Sequence, residues 1–254
     1  MGMPTFSATP LPPLRRPPGP LKLGPSFRVP TRPAETIRFR FRTRSLRATA
    51  TLADDIHHNV WRLQVHPSTV QRFIQGLVAL LPPLIRVWFE SSFPEWNLPS
   101  RLILKQQKEG WDEEFEMEKA TYAKLRPLQG TVIPEFFGQL RYGNTKALLL
   151  SDIGGACLAT PEGSLLEVAD FRRMLSQALA AMSQFGILHG DPKLDNFHLT
   201  GDKIMMVDFE SVSEEPLTDK QLEVGVESIV NFLAAGYEDN QYCYWDDGLI
   251  AIHA

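Results

Sequence analysis

The chain has 254 residues, 43% of them hydrophobic, a formal net charge of -4 and two cysteines. That is enough apolar material for one good core spread over one or two domains, and two cysteines exclude a disulfide framework. No apolar run approaches the ~20 residues needed to cross a bilayer, so a cytoplasmic, alternatively nuclear, protein without membrane attachment is expected.

From Met1 to about Pro33 the chain is rich in Pro, with Arg15, Arg16 and Lys22 interspersed. Such a segment cannot recover its ordering entropy by burial, and a disordered leader is expected. A protein partner of the SH3 type is one reading of it, and an organelle transit peptide is another. The start MGMPTFSATPLPPLRR has no hydrophobic signal core, and Phe6 breaks the myristoylation pattern.

Ile37 to Arg44 alternates strictly, with Ile37, Phe39 and Phe41 on one face and Arg38, Arg40 and Arg42 on the other, the signature of a half-buried strand. The lack of interleaved stacking aromatics and the acidic whole argue against nucleic acid. Ala53 to His66 carries no firm signal. Ser68 caps a helix running through Val70, Phe73, Ile74, Leu77, Val78 and Leu81, whose stripe is read as core-facing and which Pro82 and Pro83 end. LIRVWFE, from Leu84, and RLILK, from Arg101, read as strands.

The helix Trp111 to Leu125 places Phe115, Glu118, Tyr122 and Leu125 on one face. A carboxylate on a buried stripe calls for a cation, and Lys105 at the end of the preceding strand is the natural one. Glu135 to Arg141 and Ala147 to Ser151 form a hairpin turned at Gly143 and Asn144, and Leu165 to Phe185 a long amphipathic helix stopped by Gly186.

Ile187 to Glu210 reads ILHGDPKLDNFHLTGDKIMMVDFE. Gly190 and Pro192 force a tight loop that carries His189, Asp191, Lys193 and Asn196. Two short apolar runs then form a hairpin, turned at Gly201 and Asp202, which ends in Asp208. Two carboxylates and an amide held on a rigid mount suit a hard cation such as Mg²⁺. A helix from Asp219 to Ala234 and an aromatic, acidic tail complete the chain.

The order H-x-D-x-K-x-x-N followed by D-F-x resembles the catalytic core of the protein-kinase-like superfamily. The likeness spans roughly Leu84 to Leu233. Gly190 and Glu210 are reminiscent of the aminoglycoside and choline kinase branch, Lys193 is a protein-kinase feature, and the whole is similar to the kinase-like proteins of filamentous fungi. The resemblance implies an α+β, bilobal fold: a small antiparallel β-sheet lobe with one helix, and an abbreviated, mainly helical large lobe. It divides the chain into a largely disordered leader (1–50), an extension with one helix (51–83), a small lobe (84–151) and a large lobe (152–254).

By the same resemblance, Asp191 accepts the proton of an attacking hydroxyl and Lys193 steadies the transferred phosphoryl group. Asn196 and Asp208 hold Mg²⁺, with Phe209 packed behind them. Lys105, paired with Glu118, positions the α- and β-phosphates of ATP, while Ser151, Asp152 and Ile153 take the adenine edge. The implied activity is Mg-ATP-dependent phosphoryl transfer to a hydroxyl-bearing acceptor, protein Ser/Thr slightly ahead of a small molecule. No G-x-G-x-x-G precedes Lys105 and no A-P-E follows Glu210. Those departures motivate the alternative of a pseudokinase or interaction module that binds partners without catalysis.

Overall fold

The computed structural model describes residues 19–28, 32–53, 57–213 and 217–252. Most of the Pro-rich leader lies outside them. The first half of the chain supplies β1 (Leu21–Leu23), β2 (Ala34–Phe41), β3 (Arg44–Leu52), β4 (Val60–Val65), α1 (Thr69–Ala79), α2 (Pro83–Ser92), β5 (Arg101–Gln106) and α3 (Asp112–Lys124). The second half supplies β6 (Phe136–Tyr142), β7 (Thr145–Ser151), β8 (Ala156–Cys157), α4 (Val168–Ser183), β9 (Phe197–Thr200), β10 (Lys203–Met206), α5 (Asp219–Asp246) and β11 (Ile250–Ile252). No helix among the described residues is long and apolar enough to cross a membrane.

The organising unit is a closed antiparallel barrel in the order β2-β3-β4-β5-β7-β6, sealed where Arg40 of β2 pairs with Arg141 of β6. The alternation in β2 is as the sequence predicts: Ile37, Phe39 and Phe41 point into the barrel and Arg38 and Arg40 point out. Opposite them β3 contributes Leu46, Ala48 and Ala50. The alanines leave room for the phenylalanine rings inside a small barrel, whose interior side chains must fill it.

This barrel, with five helices among the described residues, corrects the expected bilobal architecture of a small sheet lobe and an abbreviated helical lobe. The difference arises upstream. Residues 34–65 add three strands to β5, β6 and β7, and six strands are enough to close. The boundary expected at residue 50 falls inside β3, so residues 34–50 are a strand, a two-residue turn and most of a second strand, and β4 occupies the stretch that carries no firm signal.

A second correction concerns LIRVWFE, expected as a strand and found as α2. Pro83 opens this helix, where its missing N–H costs nothing and its fixed φ suits the first turn. Periodicity alone does not separate strand from helix in so short an apolar run. α1 is where the sequence puts it, with Ser68 Oγ accepting from Gln71 N at 3.2 Å. Its stripe, however, is split: Val70, Phe73 and Leu77 face outward, Ile74 and Val78 turn into the hollow against α2, and Gln71 is its buried residue.

A second core lies beyond the barrel, where α4 packs on α5 and on β10. Phe171 and Tyr237 stack with ring centroids 4.2 Å apart, and the Tyr237 hydroxyl donates to Gly163 O at 3.0 Å. This contact carries α5 past its expected end at Ala234. The expected aromatic tail is therefore mostly helix, opened by a capping box at Thr218 and Gln221. β8, β9 and β10 form a small sheet of their own, and β1 pairs with β11.

Candidate functional site

Lys105 occupies the next-to-last position of β5, buried between Val60 of β4 and Leu148 of β7. α3 crosses this end of the barrel with its stripe inward, so Glu118, 1% exposed, is carried into the core between Phe115 and Tyr122. The two meet: Lys105 Nζ lies 2.7 Å from Glu118 Oε2.

The turn after β10 brings the third component. Asp208 adopts a left-handed backbone (φ 64°), a sparsely populated conformation for a residue other than glycine. Its Oδ1 is 2.7 Å from Lys105 Nζ, and Glu210 Oε1 is 3.0 Å from the same ammonium. Lys108 Nζ reaches Glu210 Oε2 at 2.7 Å. On the inner side, Phe209 N donates to Glu118 Oε1 at 3.4 Å, and the buried Phe209 ring meets Tyr122 edge-on at 5.3 Å. Ion pairs on one side and ring packing on the other hold the strained turn.

Burial alone would lower the Lys105 pKa, but Glu118, Asp208 and Glu210 more than offset it, and the ammonium is held above its ordinary value. Burial pushes Glu118 up against the pull of Lys105. Asp208 is raised by burial and lowered more by Lys105, ending below the usual carboxylate range. The signs give two limits. The Lys105 contribution is fully present below the ordinary lysine value of about 10.4 and is lost as pH rises through the raised folded value; that of Asp208 is present above about 3.9 and is lost as pH falls through the depressed one.

The loop Gly190–Asn196 is fastened to the same turn. His189, 2% exposed and lowered in pKa by burial, bonds through Nε2 to Val207 O at 3.0 Å, and its Nδ1 accepts from Asp191 N at 3.3 Å. An acceptor Nδ1 makes Nε2 the protonated nitrogen, so the imidazole is neutral and donates to the carbonyl. Gly190 N donates to Ser211 O at 3.0 Å, and the two segments run so close that a Cβ at position 190 would lie 2.4 Å from Ser211 Oγ and 2.9 Å from Ser211 backbone. Gly190→Ala is therefore expected to cost about 1–3 kcal/mol. Thermal melting reads this directly, and a variant that melts like the parent would contradict the close approach.

Asp191 and Lys193 stand together at the exposed rim, Lys193 Nζ 2.7 Å from Asp191 Oδ2, which raises the Lys193 pKa. Asn196 is buried and donates from Nδ2 to Asp191 O at 2.9 Å, which leaves its carbonyl oxygen as the end able to ligate. An open cleft of about 620 Å³ is lined by Asp191, Lys193, Asn196, Asp208 and Glu210, with Lys108, Trp111 and His57. A smaller hollow of about 350 Å³ between α1 and α2 gathers no comparable set of charged groups.

Of the residues singled out in the sequence, Lys105, Glu118 and Asp208 are in contact, and Asp191, Lys193 and Asn196 share a cleft with Asp208. Ser151, Asp152 and Ile153 do not line this cleft. Ser151 N and Oγ bond to Glu135, and Asp152 is held 3.5 Å from both Arg62 and Arg101. The sequence assigns no site role to two further partners: Glu210, which enters there only as a feature reminiscent of the aminoglycoside and choline kinase branch, and Lys108. The signal for Glu210 was a carboxylate two residues beyond Asp208 in a turn that returns to Lys105.

Glu118, Asp208 and Glu210 each offer an oxygen within 4.8 Å of the others. Hard oxygen donors fit Mg²⁺, and three carboxylates against two ammonium groups leave the cluster short of positive charge. Lys105 already sits among them, so Asp208 and Asn196, which line the cleft, are the better ligands. No protein-family model matches the chain, and no curated protein matches it.

Proposed function

We propose that the chain is a Mg-ATP-dependent phosphotransferase that moves a γ-phosphoryl group to a hydroxyl-bearing acceptor. The observation that carries this reading is that the buried Lys105 and Glu118 pair meets Asp208, and Asp208 lines an open cleft together with Asp191, Lys193 and Asn196. The motif order supports the same chemistry by its resemblance to the protein-kinase-like superfamily, although the barrel is not that family's bilobal architecture.

Phosphoryl transfer asks little covalent chemistry of a protein, and positioning with charge neutralisation supplies most of the rate. Bound Mg²⁺ would neutralise phosphate charge, and Asp208 with Asn196 would hold it. By the same resemblance Lys105, held by Glu118, would take the α- and β-phosphates. Asp191 takes the acceptor's hydroxyl proton on a carboxylate oxygen, and Lys193 beside it meets charge on the transferred group. Lys193 favours a protein Ser/Thr acceptor slightly over a small molecule; Gly190 and Glu210 favour the reverse.

A second reading, a binding module without catalysis, draws on Lys105 already being matched to three carboxylates. Melting with and without Mg-ATP, on the parent and on Asp208→Ala, tests the first. Ligand at 100 times its dissociation constant adds about 2.7 kcal/mol, a rise of several degrees for a chain of this size. The rise should require Mg²⁺ and vanish in Asp208→Ala. No rise at millimolar ATP would overturn the proposal.

A further inference from the structure

The α1–α2 hairpin is inverted relative to an ordinary surface helix pair. Polar groups tie it to the body: Gln71 Oε1 accepts from Arg44 Nη2 at 2.8 Å, and Gln75 Nε2 donates to Trp96 O at 3.1 Å. The apolar side faces outward, with Phe73, Leu77, Leu80, Leu84, Val87 and Trp88 between 50% and 87% exposed. Single exposed apolar residues are ordinary, whereas a contiguous set on one hairpin marks an interaction surface.

Charge identifies the partner. The turn of the β2–β3 hairpin reaches α2, where Arg42 Nη1 donates to Ser92 O at 3.4 Å. The outer face of that hairpin carries Arg38 opposite Arg47, and Arg40 lies opposite Arg141 of the neighbouring β6. Around it Arg38, Arg40, Arg42, Arg47, Arg72 and Arg86 are exposed and outnumber the acidic residues of the same elements, Glu35 in β2 and Glu90 in α2, in a chain whose net charge is -4. A second copy of the chain would set these arginines against one another. An anionic lipid surface answers both features, because apolar side chains enter the acyl boundary while guanidinium groups meet the headgroups, with tryptophan at the interface.

We propose that the α1–α2 hairpin and the adjoining arginine ridge dock this protein on an anionic lipid surface. The inference is independent of the phosphotransferase reading, and it departs from the expectation of a protein without membrane contact, which rests on the lack of a spanning segment. The test is flotation of the full chain with phosphatidylcholine vesicles and with vesicles containing 30 mol% phosphatidylserine, at low and high salt. Binding is expected only to the anionic vesicles and to weaken with salt. Leu84→Ser with Trp88→Ser should abolish it while leaving the melting midpoint within a few degrees, and Arg38→Glu with Arg47→Glu should weaken it at least 20-fold, from about fivefold for each arginine removed. Equal binding to neutral vesicles, or none to either, would overturn the proposal. So would a dimer in light scattering that Trp88→Ser dissociates without any vesicle binding.

Discussion

Lys105→Met lowers the stability at neutral pH by about 3–5 kcal/mol, because it leaves buried charge without its partner. Three carboxylates converge on this one ammonium, and Glu118 and Lys105 are almost wholly withdrawn from water. For a chain of this length the loss corresponds to roughly 6–20 °C in the melting midpoint. The pH dependence distinguishes lost charge from lost packing. With the cation gone, burial and the neighbouring carboxylates push the Glu118 pKa further up, so the variant recovers stability as the medium is acidified and the carboxyl takes a proton. Adding Glu118→Leu to Lys105→Met should restore much of the loss, since an apolar pair of similar volume is often as stable as a buried ion pair. The comparison is of melting midpoints at pH 7.5 and 5.5 for parent, single and double variants. A single variant that melts within a degree of the parent at both pH values would show that Glu118 is satisfied without Lys105.

Asp191→Asn should reduce phosphoryl transfer by about 10²- to 10⁴-fold, the range expected for removing a general base. The substitution keeps the shape of the side chain and loses only an exposed ion pair with Lys193, and exposed pairs contribute little to stability. Melting and the Mg-ATP-induced shift should therefore stay as in the parent while turnover falls. That combination separates a proton acceptor from a structural residue. Full activity in Asp191→Asn would assign the proton to another group, and a parent that binds nucleotide without turnover would favour the non-catalytic reading.

The clearest elements in the sequence were those where local pattern and tertiary need agree. The alternation in β2, the Ser68 cap, the β6–β7 and β9–β10 hairpins and the α3 stripe with Glu118 on it are all present. The contact of Lys105 with Glu118 could be argued from the cost of a buried carboxylate alone. The barrel could not be read, because β3 fills its interior with Ala48 and Ala50, and alanine gives almost no strand signal. The outward half of the α1 stripe is not legible for a related reason: helical periodicity shows that a helix has an apolar face, and says nothing about what lies against it. At the site, Glu210 depends on a left-handed turn at Asp208, and sequence spacing does not encode a turn's direction.

The pairing of β1 with β11 bears on how the chain reaches this state. Leu21 to Leu23 find Ile250 to Ile252 across nearly the whole length of the polypeptide, through three residue pairs. Closing so large a loop costs much entropy and returns little contact, so this small sheet forms after the barrel and α5 have brought its two strands together. It acts as a late fastener, and its amides should be among the first of the structured ones to exchange with solvent, while the Lys105 cluster is still shut.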